Sequence, residues 1–168
     1  GKTDVLPSAF NVGDTFSTLR GTFRPLLQQS SVELVFEEPE GIPMLYTDEG
    51  KVTQILRNFI SNALKFTDHG MVRVSACATT GKDIAFSVTD TGIGIAPEHH
   101  EMIFAEFAQV RGSHQKSKLG TGLGLPLSRK LARLLGGDVI VTSRAGAGST
   151  FTATIPLVYS GSHEGDNG

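Results

Sequence analysis

The stretch DEGKVTQILRNFISNALKF, residues 48–66, places apolar side chains at Val52, Ile55, Leu56, Phe59, Ile60 and Ala63. That recurrence is the stripe of an amphipathic α-helix and has no period-two reading. Either Thr47 or Asp48 can cap its start. Opposite the stripe, Asn58 and Asn62 stand one turn apart and Lys65 follows almost a turn later, so the three project to neighbouring positions. Asparagine is a poor helix-interior residue because its side chain competes for backbone hydrogen bonds. One explanation is a solvated polar face. The other is a ligand with hard oxygens, since an asparagine carbonyl can hold Mg²⁺ and a lysine can pair with phosphate.

Working outward, Gly70 turns the chain into two strands, Met71–Ala78 and Asp83–Asp90, joined through Thr80, Gly81 and Lys82 as an antiparallel hairpin. Upstream, residues 11–29 recur helically, with Pro25 expected to kink or interrupt them. Residues 31–37 read as a strand broken by Pro39, Gly41 and Pro43, and residues 44–46 as a short strand. Downstream come a loop at residues 91–94, a short helix after Pro97 and a polar, basic loop over residues 109–120. A helix over residues 123–135 stops at Gly136 and Gly137, and strands at residues 138–143 and 150–157 follow. No internal repeat or second domain is evident.

The 168 residues suffice for one domain, and 39% hydrophobic content with 19% charged residues is ordinary globular composition. A net charge of −2 gives no pull towards nucleic acid or an anionic membrane. Phosphate binding would therefore rest on local geometry. One cysteine, Cys77, makes no internal disulfide and no cysteine metal cluster, and it reads as a strand residue in a reducing cytoplasm. No apolar run approaches the roughly 20 residues that span a bilayer.

Two further sites carry chemistry. Ile84, Phe86 and Val88 alternate with polar partners, so period two puts Asp90 on the same inward face. An inward carboxylate is costly without a donor. It is either a turn cap or the acceptor for a donor that arrives with a ligand, such as an exocyclic amine. The run LGTGLGL, residues 119–125, brings backbone N–H groups and a helix N-terminus to an anion. It is neither a Walker A loop nor the dinucleotide fingerprint, and the chain has no His-Arg-Asp or Asp-Phe-Gly element of the common protein kinases.

Together these sites resemble the ATP-binding domain of sensor histidine kinases, within the gyrase, heat-shock-chaperone, histidine-kinase and mismatch-repair ATPase superfamily. Residues 58–67 (NFISNALKFT) are similar to the asparagine box and residues 90–95 (DTGIGI) to the first glycine box. Residues 103–107 (IFAEF) resemble the phenylalanine box and residues 120–125 (GTGLGL) the second glycine box. The resemblance runs from about Phe10 to Leu157 and implies an α+β fold: a two-layer α/β sandwich, its mixed β-sheet covered on one face by helices, known as the Bergerat fold. It implies ATP and Mg²⁺ as cofactors. Asn62 would ligate the metal, Asn58 would position metal or phosphates, Lys65 would contact phosphate, and Asp90 would bind the adenine amine. Gly92, Gly94, Ile95 and Phe107 would border the nucleotide. Gly120, Thr121, Gly122, Leu123 and Gly124 would wrap the triphosphate. Lys116 falls at a basic lid position, with Lys118 and Arg111 as further candidates. Phe104 and Phe107 are equally readable as core aromatics. Leu119 departs from the pattern, since many relatives have glycine there.

The same resemblance separates transferase from hydrolase. The mechanical ATPases of the superfamily carry a water-activating glutamate where this chain has Asn58, and an amide is no general base. A histidine acceptor is nucleophilic near neutral pH without one. No histidine here fits the acceptor pattern: His163 lies in the glycine-rich tail, and His69, His99, His100 and His114 read as surface residues. The expected activity is therefore phosphotransfer to a histidine on a separate helical hairpin of the same parent, with a response regulator downstream. Another ATPase of the superfamily, or a nucleotide-sensing module, is the alternative. Residues 1–9 are expected to be linker, 10–158 the catalytic domain and 159–168 a disordered tail. The fragment is expected to be monomeric and cytoplasmic, without nucleic-acid or membrane contact, within a dimeric parent that can be membrane-anchored.

Overall fold

The computed structural model describes residues 4–28, 30–67, 69–79, 81–91, 124–143 and 148–160. In chain order the elements are β1 (Ser8–Phe10), α1 (Val12–Leu27), β2 (Val32–Phe36), β3 (Leu45–Thr47), α2 (Glu49–Phe66), β4 (Gly70–Ala78), β5 (Asp83–Asp90), α3 (Gly124–Leu134), β6 (Asp138–Ser143) and β7 (Ser149–Pro156). The main sheet has five strands in the order β2-β4-β5-β7-β6; β1 and β3 form a separate two-stranded sheet. β2 runs parallel to β4 and every other neighbour in the main sheet is antiparallel, so the sheet is mixed, as expected.

Alternation in the strands selects the covered face. Val72 and Val74 of β4, Ile84, Phe86 and Val88 of β5, Phe151, Ala153 and Ile155 of β7 and Val139 of β6 are buried beneath the helices. The α2 stripe closes on them, with the Phe59 ring tilted against Phe151 at 5.7 Å between centroids. Burying a phenylalanine of this kind stabilises the fold by about 2–3 kcal/mol. On the opposite face, hydroxyls pair across strands, Ser87 with Thr152 and Thr89 with Thr150, each at 3.1 Å. The result is the expected two-layer α+β sandwich.

Local chemistry sets the element ends. Asn11 caps α1, its Oδ1 accepting from Asp14 N–H at 2.8 Å. Of the kink or interruption expected at Pro25, the interruption does not occur: α1 continues to Leu27. Pro25 forfeits only the bond to the Gly21 carbonyl, and both residues are exposed, so water can replace the missing donor. α3 ends in a Schellman motif: Gly136 has φ +99°, and Gly137 N–H donates 2.9 Å to Ala132 O. Strand β1 was not anticipated; it pairs antiparallel with β3 through Ala9 and Tyr46. β3 itself sits one residue later than the expected 44–46 strand.

Candidate nucleotide site

α2 is anchored first at its N-terminus. Asp48 is the capping residue, not Thr47: its Oδ1 accepts from Lys51 N–H at 3.1 Å, and its Oδ2 accepts from Leu6 N–H at 2.9 Å and Lys51 Nζ at 3.0 Å. Burial alone would raise the Asp48 carboxyl, but the hydrogen bonds from Leu6 and Lys51 outweigh it and hold the group below the ordinary carboxylate value. The cap thus ties the first described residues of the chain to the helix that carries the asparagines.

Fifteen ångströms is the order of length between a helix cap and a residue ten positions on, and there α2 meets the start of α3. Asn58 Nδ2 donates to Gly124 O at 3.2 Å and to Ser128 Oγ at 3.1 Å. Asn62 Nδ2 donates to Asn58 O at 2.8 Å. Carbonyl oxygens only accept, so these partners fix which end of each amide is nitrogen. Both Oδ1 atoms are left as uncommitted acceptors among the described residues. Ser128 is fully buried and its hydroxyl donates to Gly124 O at 2.9 Å, which locks the joint from the α3 side.

Gly124 is the first residue of α3 and abuts the asparagine pair. A Cβ there would lie 3.2 Å from Asn62 Nδ2 and 3.9 Å from Asn58 Cβ. The first turn of α3 contains no acidic residue to offset the positive end of the helix. Asn58, Asn62 and Gly124 are therefore brought together.

Asp90 closes β5 on the helix-covered face, 2% exposed, in line with Ile84, Phe86 and Val88, as period two requires. The backbone around it is tightly fitted: a Cβ on Gly148, φ +90°, would fall 2.2 Å from Asp90 O. Next to it, Thr91 Oγ1 accepts from Met71 N–H at 3.1 Å and closes the β4 ladder. Lys65 lies exposed in the last turn of α2, beside a groove that it lines with Phe23, Leu26, Ser61 and Thr67. That groove opens between α1 and α2 and is lined by neither Asn58 nor Asn62, so the structure does not bring Lys65 together with the asparagine pair.

The other expected site residues, Gly92, Gly94, Ile95, Phe107, Lys116, Gly120, Thr121, Gly122 and Leu123, lie outside the described residues, as do Phe104, Arg111, Lys118, Leu119, the helix after Pro97 and the basic loop. Two positions were missed in the sequence. Ser128 carries a signal in retrospect, a small polar residue one turn beyond Gly124 on the apolar side of α3. Gly148 reads only as a turn residue until β5 is seen against it.

The asparagine oxygens fit a hard cation. Among the described residues no three His, Cys, Asp or Glu side chains converge. Mg²⁺ accepts a site with one or two protein oxygens completed by phosphate and water.

The mixed-sheet sandwich and the family match over most of it place the chain in a nucleotide-binding ATPase class. The chain belongs to the family of histidine kinase-, DNA gyrase B-, and HSP90-like ATPases, which matches residues 47–159. It is 45% identical over 130 residues to the aerobic respiration control sensor protein ArcB of Escherichia coli (strain K12), covering 76% of this chain and 17% of that one. It is 36% identical over 163 residues to the autoinducer 2 sensor kinase/phosphatase LuxQ of Vibrio parahaemolyticus, covering 94% and 19% respectively. Among solved structures, full-length ShkA in complex with AMPPNP superposes with a TM-score of 0.81 at 31% identity, over 91% of this chain and 31% of that one. Both curated relatives are sensor proteins, LuxQ by name a sensor kinase/phosphatase, and this chain spans less than a fifth of either one. No helix among the described residues is long and apolar enough to cross a membrane.

Proposed function

We propose that this chain is the catalytic part of a two-component histidine kinase, which binds ATP with Mg²⁺ and passes the γ-phosphoryl group to a histidine on a separate helical hairpin of the same parent. The observation that carries the reading is the fixed orientation of Asn58. Its nitrogen is committed to Gly124 O and Ser128 Oγ, so the group it offers is an amide oxygen. An amide oxygen is far too weak a base to take a proton from water, which disfavours hydrolysis. A neutral imidazole needs no such base.

In transfer, the bond between the γ-phosphorus and its bridging oxygen breaks as the nitrogen–phosphorus bond forms, and ADP leaves with the electron pair. The chain's part is alignment and charge compensation. Asn62 Oδ1, with Asn58 Oδ1 beside it, would hold the cation, which supplies charge neutralisation at the phosphates. The α3 N-terminus and the 120–124 loop would receive the phosphate oxygens, and Lys65 and Lys116 would add positive charge. Asp90 would accept from the adenine amine, with Gly92, Gly94, Ile95 and Phe107 bordering the base. A response regulator would then take the phosphoryl group from the histidine.

The test mixes this chain with a separately produced hairpin domain and radiolabelled ATP. The expected product is an acid-labile phosphohistidine, formed slowly because the two parts are unlinked and effective concentration is lost. It should be absent when the acceptor histidine is replaced. Rapid ATP hydrolysis by the chain alone, without transfer to any cognate hairpin, would replace this reading with that of a mechanical ATPase.

A further inference from the structure

We propose that the outer edge of β2, with the groove between it and α1, receives an extended segment of a partner protein that bears carboxylates at alternate positions. β2 is the terminal strand of the main sheet. Its hydrogen-bonding phase follows from the two ends of its ladder with β4: Gly70 N–H donates to Ser31 O and Glu37 N–H donates to Val74 O. Parallel pairing repeats every two residues, so residues 31, 33, 35 and 37 turn their backbone groups to β4. Val32, Leu34 and Phe36 turn theirs outward. Val32 N–H is taken by Ser30 Oγ at 3.0 Å. Among the described residues the N–H and C=O of Leu34 and Phe36 have no backbone partner. An unpaired edge of this kind is a template for another strand.

Beside that edge lies a groove of about 510 Å³ between β2 and the last turns of α1, floored by Leu27, Leu34 and Phe36 and rimmed by Arg20 and Arg24. The Arg20 guanidinium rests 5.1 Å from the centre of the Phe36 ring, which holds it at the rim. Among the described residues neither arginine forms an ion pair. Glu33, the acid in the groove lining, falls with Val35 on the opposite face of the strand from Leu34. The arginines stand one helical turn apart, about 5.4–6 Å, and alternate residues of an added strand repeat at about 6.6 Å. A carboxylate at every second position of that strand therefore meets one arginine after the other.

The charge arrangement also argues against a second copy of this chain. Two β2 strands paired about a two-fold axis would place both α1 helices on the same face and set the arginine pairs against each other. An acidic segment of another protein has no such conflict.

The probe is a short fluorescein-labelled peptide of alternating glutamate and threonine, titrated into the 168-residue chain at low salt with anisotropy as the readout. Saturable binding is expected, weakened at least about tenfold by Arg24→Glu, an exposed position whose reversal turns attraction into repulsion. The matching lysine–threonine peptide should show the opposite preference for the two proteins. Amide exchange at Leu34 and Phe36 should slow when the acidic peptide binds. No binding to the wild type, equal binding to Arg24→Glu, or unchanged exchange at both amides would overturn the proposal. So would a dimer of the chain alone that protects these same amides, since the edge would then belong to a second copy.

Discussion

Asn62→Ala should remove metal-dependent nucleotide affinity while leaving the fold intact, and the structure says why both halves hold. Among the described residues the Asn62 side chain makes one hydrogen bond, Nδ2 to Asn58 O at 2.8 Å. That oxygen is already the helical acceptor for the Asn62 backbone N–H, so truncation leaves no buried group unsatisfied. The lost bond is worth about 0.5–1.5 kcal/mol, and the higher helix propensity of alanine returns roughly half a kcal/mol. A net change within about 1 kcal/mol moves the melting temperature of a domain this size by about 2–4 °C at most. The amide oxygen, by contrast, is the hard ligand that would face the cation. Losing an interaction to a charged group costs about 1.5–3 kcal/mol, on the order of a tenfold to hundredfold loss of affinity. The assay pairs thermal unfolding with calorimetric titration of a non-hydrolysable ATP analogue, each with Mg²⁺ and with a chelator. The mutant deficit should be large with Mg²⁺ and shrink without it. Identical binding by mutant and wild type in both conditions would refute the metal assignment, and a melting temperature lowered by much more than 4 °C would refute the packing argument.

Asp90→Asn keeps the shape of a side chain that is 2% exposed but replaces a charged acceptor by an amide that must also donate. ATP affinity should fall tenfold to a hundredfold, about 1.5–3 kcal/mol, and a folded variant with wild-type affinity would leave Asp90 a structural residue only. Asp48→Ala removes the α2 cap and the tie to Leu6, which should cost about 2 kcal/mol at neutral pH in urea unfolding. Because the folded Asp48 carboxyl is held below its ordinary value, its contribution is fully present above the unfolded carboxylate pKa near 4 and is lost as pH falls through the lower folded value. The stability gap between wild type and Asp48→Ala should therefore narrow below about pH 4, and a gap independent of pH would show that the charge plays no part.

Legibility in the sequence followed the range of the physics. The α2 stripe, the β4–β5 hairpin and the inward phase of Asp90 are local periodicities, and each appears where it was read. The paired asparagines also come together with Gly124. What escaped were features decided by distant partners. β1 is three residues, Ser8–Phe10, too short to show a period and stable only against β3. Pro25 carries a strong local signal for interruption, yet its place near a helix end on the exposed face removes most of the cost. Ser128 ties α3 to α2 through Asn58, which lies 70 residues earlier. The parallel pairing of β2 with β4 and the insertion of β7 between β5 and β6 have no local signature at all.

That insertion of β7 governs the order in which the chain can be completed during synthesis. β7 is the last strand of this sheet in chain order among the described residues and lies inside it, pairing with β5 along Asp83–Asp90 and with β6 along Asp138–Ser143. Until residues 149–156 leave the ribosome, β5 is an open edge and Phe59 lacks its partner ring, Phe151. A nascent chain that already contains Asn58, Asn62, Asp90 and Gly124 thus holds them on an unfinished scaffold. Closure links strands separated by more than 60 residues, a non-local pairing of the kind that slows folding. Because β6 pairs only with β7 in this sheet, the hairpin of the two can add to the open edge of β5 as one unit and so complete the layer beneath α2.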